Sequence, residues 1–190
     1  MTRFDDIRFT SKKQFLTEMQ KNNHEVPEPR PIKHVVLDAD DTIWRIKPWG
    51  IISYCEPIGE SNENELSCKT RDDRRKGTIQ LDPTLRDTIQ MLKDRSIGVS
   101  IASVNEKQAV TAALNAFGLL DAFSQIEADF ERDKGAMVCA IGVKEGVLAN
   151  EILFVDDSFY NVEDVERLGA LSLQMDIDIN GIAEILDFIK

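Results

Sequence analysis

The sequence predicts an α/β protein, a three-layer α/β/α sandwich around a parallel sheet. Three observations carry that prediction. Short apolar runs, such as Val35-Val36-Leu37 and Ile152-Leu153-Phe154-Val155, read as strands buried on both faces. Segments of helical length, with apolar residues three and four apart, lie between such runs. Strands separated by helices in this way imply right-handed crossovers and a sheet covered on both sides. With 190 residues and 42% apolar content the chain can bury the core of one domain.

Residues 1–33 read as an N-terminal extension and linker. Phe15, Leu16 and Met19 mark one face of a short helix, and Pro27-Glu28-Pro29-Arg30-Pro31 breaks it in favour of an extended connection. The domain proper spans 34–190, and its first strand runs from about His34 to Asp38. The stretch from about 43 to 80 is irregular. Ile51–Cys55 and Thr78–Leu81 read there as short strands flanking a polar segment from Gly59 to Gly77, a small β-flap projecting from the sheet. Asp82-Pro83 has the form of an N-cap followed by proline at the first helical position, and Leu85, Ile89 and Leu92 mark the buried face of that helix. Gly98–Ala102 is the second strand. Val110, Ala113, Leu114 and Phe117 mark a helix that stops at Gly118. Phe123–Ala128 is the third strand, and Met137, Val138 and Ile141 lie on a helix ending near Gly146. Ile152–Val155 is the fourth strand, ending at Asp156. A short helix then runs to about Leu168, Leu171–Met175 is the fifth strand, and Ile182, Ile185, Leu186 and Ile189 mark a terminal helix.

The formal net charge of −11 disfavours nucleic acid and anionic membrane as partners, because both need a basic face. The three cysteines, Cys55, Cys68 and Cys139, are too few and too scattered for a disulfide framework, which fits a reduced, cytoplasmic setting. The charged N-terminus is unlike a secretory signal, and no apolar run approaches the roughly 20 residues that span a bilayer.

The candidate chemistry sits where apolar runs end. Asp38 and Asp40, one residue apart, follow the first strand; Ser103 and Asn105 follow the second; Lys134 opens the helix after the third; Asp156 and Asp157 end the fourth. In a parallel sheet all these points share one edge, where ligands bind. Clustered carboxylates hold a hard cation such as Mg²⁺, which assigns Asp38, Asp40, Asp156 and Asp157 to a metal site, Asp40 through its backbone carbonyl. Asp38 is then the nucleophile toward phosphorus, and Asp40 is the general acid and base. Ser103 donates to a phosphoryl oxygen, and Lys134 balances the crowded acids and holds the phosphate. Lys107 and Lys144 are rivals for the lysine role. Thr42 steadies the turn around Asp38, and Asn161 supports Asp156. Asn105, Arg71 and Trp44 are candidates for contact with substrate. Arg71, Arg74, Arg75 and Lys76 read equally as facing an anionic substrate or as a solvated turn, and Trp44 and Trp49 as lining the entrance or as core packing of the flap.

Four segments carry a resemblance. They are Val35-Val36-Leu37-Asp38-Ala39-Asp40-Asp41-Thr42, Ile101-Ala102-Ser103-Val104-Asn105, Glu131-Arg132-Asp133-Lys134-Gly135, and Ile152-Leu153-Phe154-Val155-Asp156-Asp157-Ser158-Phe159-Tyr160-Asn161. In this order they resemble the haloacid dehalogenase (HAD) superfamily of phosphatases, from about residue 34 to the C-terminus. Thr42-Ile43-Trp44, the charged turn from Thr70 to Lys76, and Asn161 to Val165 look like its small magnesium-dependent phosphatase branch. The resemblance implies a Rossmannoid parallel sheet with a small β-flap and no large cap domain. It also implies Mg²⁺, a phospho-aspartate intermediate, and a phosphosugar, phosphotyrosine or phosphoprotein substrate. The branch usually carries an arginine after the serine of its second motif, where this chain has Val104-Asn105.

An open site also permits closure by a second subunit, as a homodimer. Two other activities of that superfamily stay open: phosphotransfer, and loading of an acyl group onto a carrier. A receiver-like signalling module uses the same residue types, but its phosphorylated aspartate follows a middle strand, and here Asp129 is the nearest such acid before Lys134. A non-catalytic binding module is opposed by the intact residue set.

Overall fold

In a computed structural model, which describes residues 31–48, 50–71 and 75–189, the apolar run His34–Leu37 forms β1, the centre of a five-stranded parallel sheet. The sheet is completed by β6 (Gly98–Ser103), β7 (Ile126–Ala128), β8 (Ile152–Asp156) and β9 (Leu171–Gln174), in the order β7-β6-β1-β8-β9. The chain leaves β1 toward β6 and β7, then crosses back to β8 and β9. The strand order therefore reverses at β1, where the carboxyl ends of the strands open a crevice.

Alternation along the strands splits the core into two layers. Val35, Leu37, Leu153 and Val155 point to one side, against α1 (Leu85–Asp94) and α2 (Lys107–Ala116). Val36, Ile152 and Phe154 point to the other, against α3 (Lys134–Glu145) and α4 (Phe159–Glu166). The predicted helix stops are sharp: Gly118 and Gly146 take left-handed φ values of 66° and 67°. Among the described residues no helix is long and apolar enough to cross a membrane.

Residues 44–81 build a second, antiparallel sheet from β2 (Trp44–Lys47), β3 (Cys55–Asn62), β4 (Glu65–Thr70) and β5 (Lys76–Leu81), in the order β2-β5-β4-β3. This is the expected flap, with four strands where the sequence suggested two, because β4 lies wholly within the polar segment from Gly59 to Gly77, which carries no long apolar run. It lies on the domain rather than standing off. Trp44, Ile46, Leu66, Cys68, Ile79 and Leu81 are buried in the same core as α1 and α2.

Three local expectations are corrected. Ile51–Cys55 is not a strand: Ile52–Tyr54 is a 3₁₀ turn that leads into β3, with the Ile52 N–H turned toward Asp40. Asp82 does not cap α1 directly, since its Oδ1 accepts from Thr84 N at 2.8 Å and the helix begins at Leu85. The terminal segment Ile182–Phe188 is 3₁₀ rather than α, which places Ile182 and Ile185, three apart, on the same buried side. Most of the predicted N-terminal arm falls outside the described residues.

Candidate active site

The pairing of Leu37 with Ile101 on one side and Val155 on the other carries Asp38 to the same level as Asp156, and Asp38 N donates to Val155 O at 2.9 Å. Asp38 and Asp156 are both buried. Lys134 is the first residue of α3. Asp133 caps that helix by accepting from Ala136 N at 2.6 Å, which fixes where Lys134 starts. Gly135 N donates to Asp164 Oδ2 of α4 at 3.2 Å, and a Cβ at 135 would come 2.8 Å from that oxygen. The helix start is thus held tightly against its neighbour.

From this position Lys134, only 2% exposed, points its ammonium into the strand ends. Nζ donates to Asp38 Oδ1 in a short contact, donates to Ala102 O at 2.6 Å, and lies 3.0 Å from Asp156 Oδ2. Burial favours the neutral amine, but the Asp38 and Asp156 carboxylates outweigh it and hold Lys134 above the usual lysine range. Burial pushes the Asp38 carboxyl up to about 8, with Lys134 pulling against that push and Asp156 adding to it.

Asp156 Oδ1 accepts from Ser158 N and Asn161 Nδ2, both at 2.9 Å. Its Oδ2 is buried, and the group that faces it is the Lys134 ammonium at 3.0 Å. One ammonium is shared there by two buried carboxylates, Asp38 and Asp156, so negative charge is left over at the strand ends. Carboxylate oxygens of Asp38, Asp156 and Asp157 lie within 4.8 Å of one another. Partial burial, then the Asp156 and Asp41 charges, push Asp157 up to about 6. Three hard oxygen donors around one point, with a single buried lysine between them, suit a small divalent cation.

Asp40 faces away from that cluster. Asp41 takes a left-handed φ of 55°, and Ile43 N and Trp44 N donate back to Ala39 O at 3.0 and 3.2 Å. The turn swings Asp40 under the flap. Its Oδ1 accepts from Trp44 Nε1 at 2.7 Å, and its Oδ2 accepts from Ile52 N at 3.2 Å and Asn105 Nδ2 at 2.8 Å. Burial raises the Asp40 carboxyl, and these donors pull it part of the way back.

The remaining predicted residues divide. Thr42 Oγ1 donates to Asp38 Oδ2 at 3.4 Å. Ser103 is fully buried at the end of β6, and its Oγ accepts from Asn105 Nδ2 at 3.0 Å. Asn105, expected at the substrate, has its amide committed inside the protein. Trp44, also expected there, is 1% exposed and stacks on Phe117, with ring centroids 6.5 Å apart; only its N–H reaches the site. Arg71 is exposed and paired with Glu106 at 2.8 Å. Of the rival lysines, Lys144 pairs with Glu127, and Lys107 lines an open cavity of about 400 Å³ together with Asn105, Asp129, Phe130 and Glu131. Trp49 and Arg74 lie outside the described residues. Sequence reasoning missed Ser53 and the Ile52 N–H. Neither belongs to a recognisable pattern, and both reach the site only because the flap folds back.

A family model described as Acid Phosphatase matches residues 30–183. Among solved structures, a HAD-superfamily hydrolase from Ehrlichia chaffeensis is similar with a TM-score of 0.63 at 13% identity, over 84% of this chain and 96% of that one. The N-terminal part of protein BF1531 from Bacteroides fragilis, which contains a phosphatase domain complexed with Mg, is similar with a TM-score of 0.55 at 14% identity, over 85% of this chain and 40% of that one. A predicted phosphoglycolate phosphatase from Haemophilus somnus gives a TM-score of 0.50 at 21% identity, and the chain spans 57% of its length. At such identities the likeness is one of fold.

Proposed function

The chain belongs to the acid phosphatase family and has the fold of HAD-superfamily hydrolases, and on that premise we propose that it is a Mg²⁺-dependent phosphomonoester hydrolase working through a phospho-aspartate on Asp38. One observation carries this reading. Lys134 is buried between Asp38 and Asp156 at the carboxyl ends of neighbouring strands, while Asp40, two residues on, is held apart by neutral donors.

Asp38 Oδ2, the oxygen not engaged by Lys134, attacks phosphorus in line with the ester bond. That bond breaks, and the leaving oxygen takes the proton of Asp40. Water then attacks the phospho-aspartate and gives its proton to Asp40, releasing phosphate and restoring Asp38. Lys134 neutralises the acids and contributes positive charge toward the transferring group. Ser103 Oγ accepts from Asn105, which leaves its own hydrogen to donate to a phosphoryl oxygen. Asp38, Asp156 and Asp157 would hold Mg²⁺, which supplies charge neutralisation between phosphate and carboxylates when bound. The cavity beside Asn105, with the exposed ring of Phe130 on its wall, is where a sugar or tyrosyl leaving group would lie.

The test is phosphate release from phosphosugars, phosphotyrosine peptides and p-nitrophenyl phosphate, with Mg²⁺ or with EDTA. Activity is expected with Mg²⁺, lost in EDTA and absent in Asp38→Asn. Turnover near wild type in Asp38→Asn overturns the nucleophile assignment.

A further inference from the structure

We infer that Ser53 is a positioning residue for Asp40, acting through the Asn105 amide to tie the flap to the proposed acid and base. This rests on the hydrolase reading above. Ser53 and Asn105 are each 3% exposed, so their polar atoms must find partners within the protein. The Glu106 backbone N–H donates to Ser53 Oγ at 2.8 Å. A backbone N–H can only donate, so the Ser53 oxygen is the acceptor there and its own hydrogen is directed elsewhere. It goes to Asn105 Oδ1 at 2.7 Å. The Ser53 backbone N–H, which can only donate, meets the same Asn105 oxygen at 3.4 Å, so this end of the amide is the carbonyl and the other end faces the acid. Asn105 Nδ2 is left to donate to Asp40 Oδ2 at 2.8 Å and Ser103 Oγ at 3.0 Å.

The chain of donors has one polarity from start to end: Glu106 N–H, Ser53 O–H, Asn105 N–H, Asp40 carboxylate. An Asn105 amide turned over would bring its carbonyl against the Asp40 carboxylate, two acceptors at hydrogen-bond distance. Without the Ser53 hydroxyl, that repulsion and the Ser53 backbone N–H at 3.4 Å are left to oppose the turn, and the carbonyl end of the amide loses its shortest hydrogen bond. Two of the donors to Asp40, Trp44 and Ile52, come from the flap directly, and the third depends on the flap through Ser53. The geometry of the acid thus requires the flap to be seated.

The test compares Ser53→Ala, Ser53→Cys and Asp40→Asn with wild type. It reads kcat/KM on p-nitrophenyl phosphate, whose leaving group needs no proton, and on glycerol phosphate, whose leaving group does. Circular dichroism and thermal melts check folding. Asp40→Asn is expected to lose about 10²–10⁴-fold on glycerol phosphate. Ser53→Ala is expected to lose about 10–100-fold there, with a clearly smaller loss on p-nitrophenyl phosphate. Ser53→Cys, a weak donor, should fall between Ser53→Ala and wild type, and it carries the test if Ser53→Ala does not fold. Equal losses on both substrates, or none on glycerol phosphate, overturn the role of Ser53. If Asp40→Asn itself shows no dependence on the leaving group, the acid assignment fails instead.

Discussion

The rim of the parallel sheet and the antiparallel flap hold adjacent acids by different physics. At the rim, Asp38 is bound by charge: a buried lysine lies between it and Asp156, and its neighbours are other ionisable groups. Under the flap, Asp40 is bound by an indole N–H, a backbone N–H and an amide. The contrast matters because the two acids are proposed to do opposite things. A nucleophile must be ionised to attack, which the Lys134 cation favours against the burial that pushes Asp38 up. An acid that gives and takes a proton at neutral pH is better served by burial and neutral donors, since a cation in contact would keep it deprotonated. Two carboxylates one residue apart can differ this way because the left-handed turn at Asp41 sends them to different surroundings.

The contrast can be broken most directly at Lys134. Lys134→Met keeps the length of the side chain and leaves two buried carboxylates without their cation. Urea denaturation is expected to show a loss of about 3–5 kcal/mol. Added Mg²⁺ should restore part of it by binding the native state alone. A loss below about 1 kcal/mol would mean that the rim is not held together by charge. In the flap, Trp44→Phe preserves the stacking on Phe117 and removes one donor to Asp40. Its cost in stability should be about 1 kcal/mol, with kcat/KM on alkyl phosphates falling about tenfold. A destabilisation as large as that of Lys134→Met would erase the distinction between the two regions. The smallest effect is expected at the exposed Arg71–Glu106 pair, where both side chains are nearly half accessible. Arg71→Ala should change stability by less than about 1 kcal/mol. A rise in KM at unchanged stability would place Arg71 against substrate, and an unchanged KM would remove it from the binding set.

Much of the rim was legible in the sequence because its placement is local. Val35-Val36-Leu37 must be a buried strand, so the next residue lies at the sheet edge; the same logic locates Asp156 after Ile152–Val155. Lys134 was legible from its neighbours at a helix start. The flap was not legible in this way. Ser53 meets Asn105 across 52 positions, and Asn105 meets Asp40 across 65. Trp44 read either as entrance or as packing, and it is a buried donor, because the face of the flap that carries it closes against Phe117. Asn105 was expected to touch substrate. Its position after a strand says nothing about whether a serine from the flap will claim its carbonyl.

By itself, then, the amino-acid order determined the alternation of strands and helices, the acids at strand ends, and the resemblance that these motifs carry. Each of those is decided within a few residues, by period, capping and turn chemistry. Only the tertiary structure decided that the flap rests on the core, that Lys134 is sealed between two acids, and which way the Asn105 amide faces. Burial and hydrogen-bond direction depend on which distant segments come together, and a local pattern of side chains does not encode that.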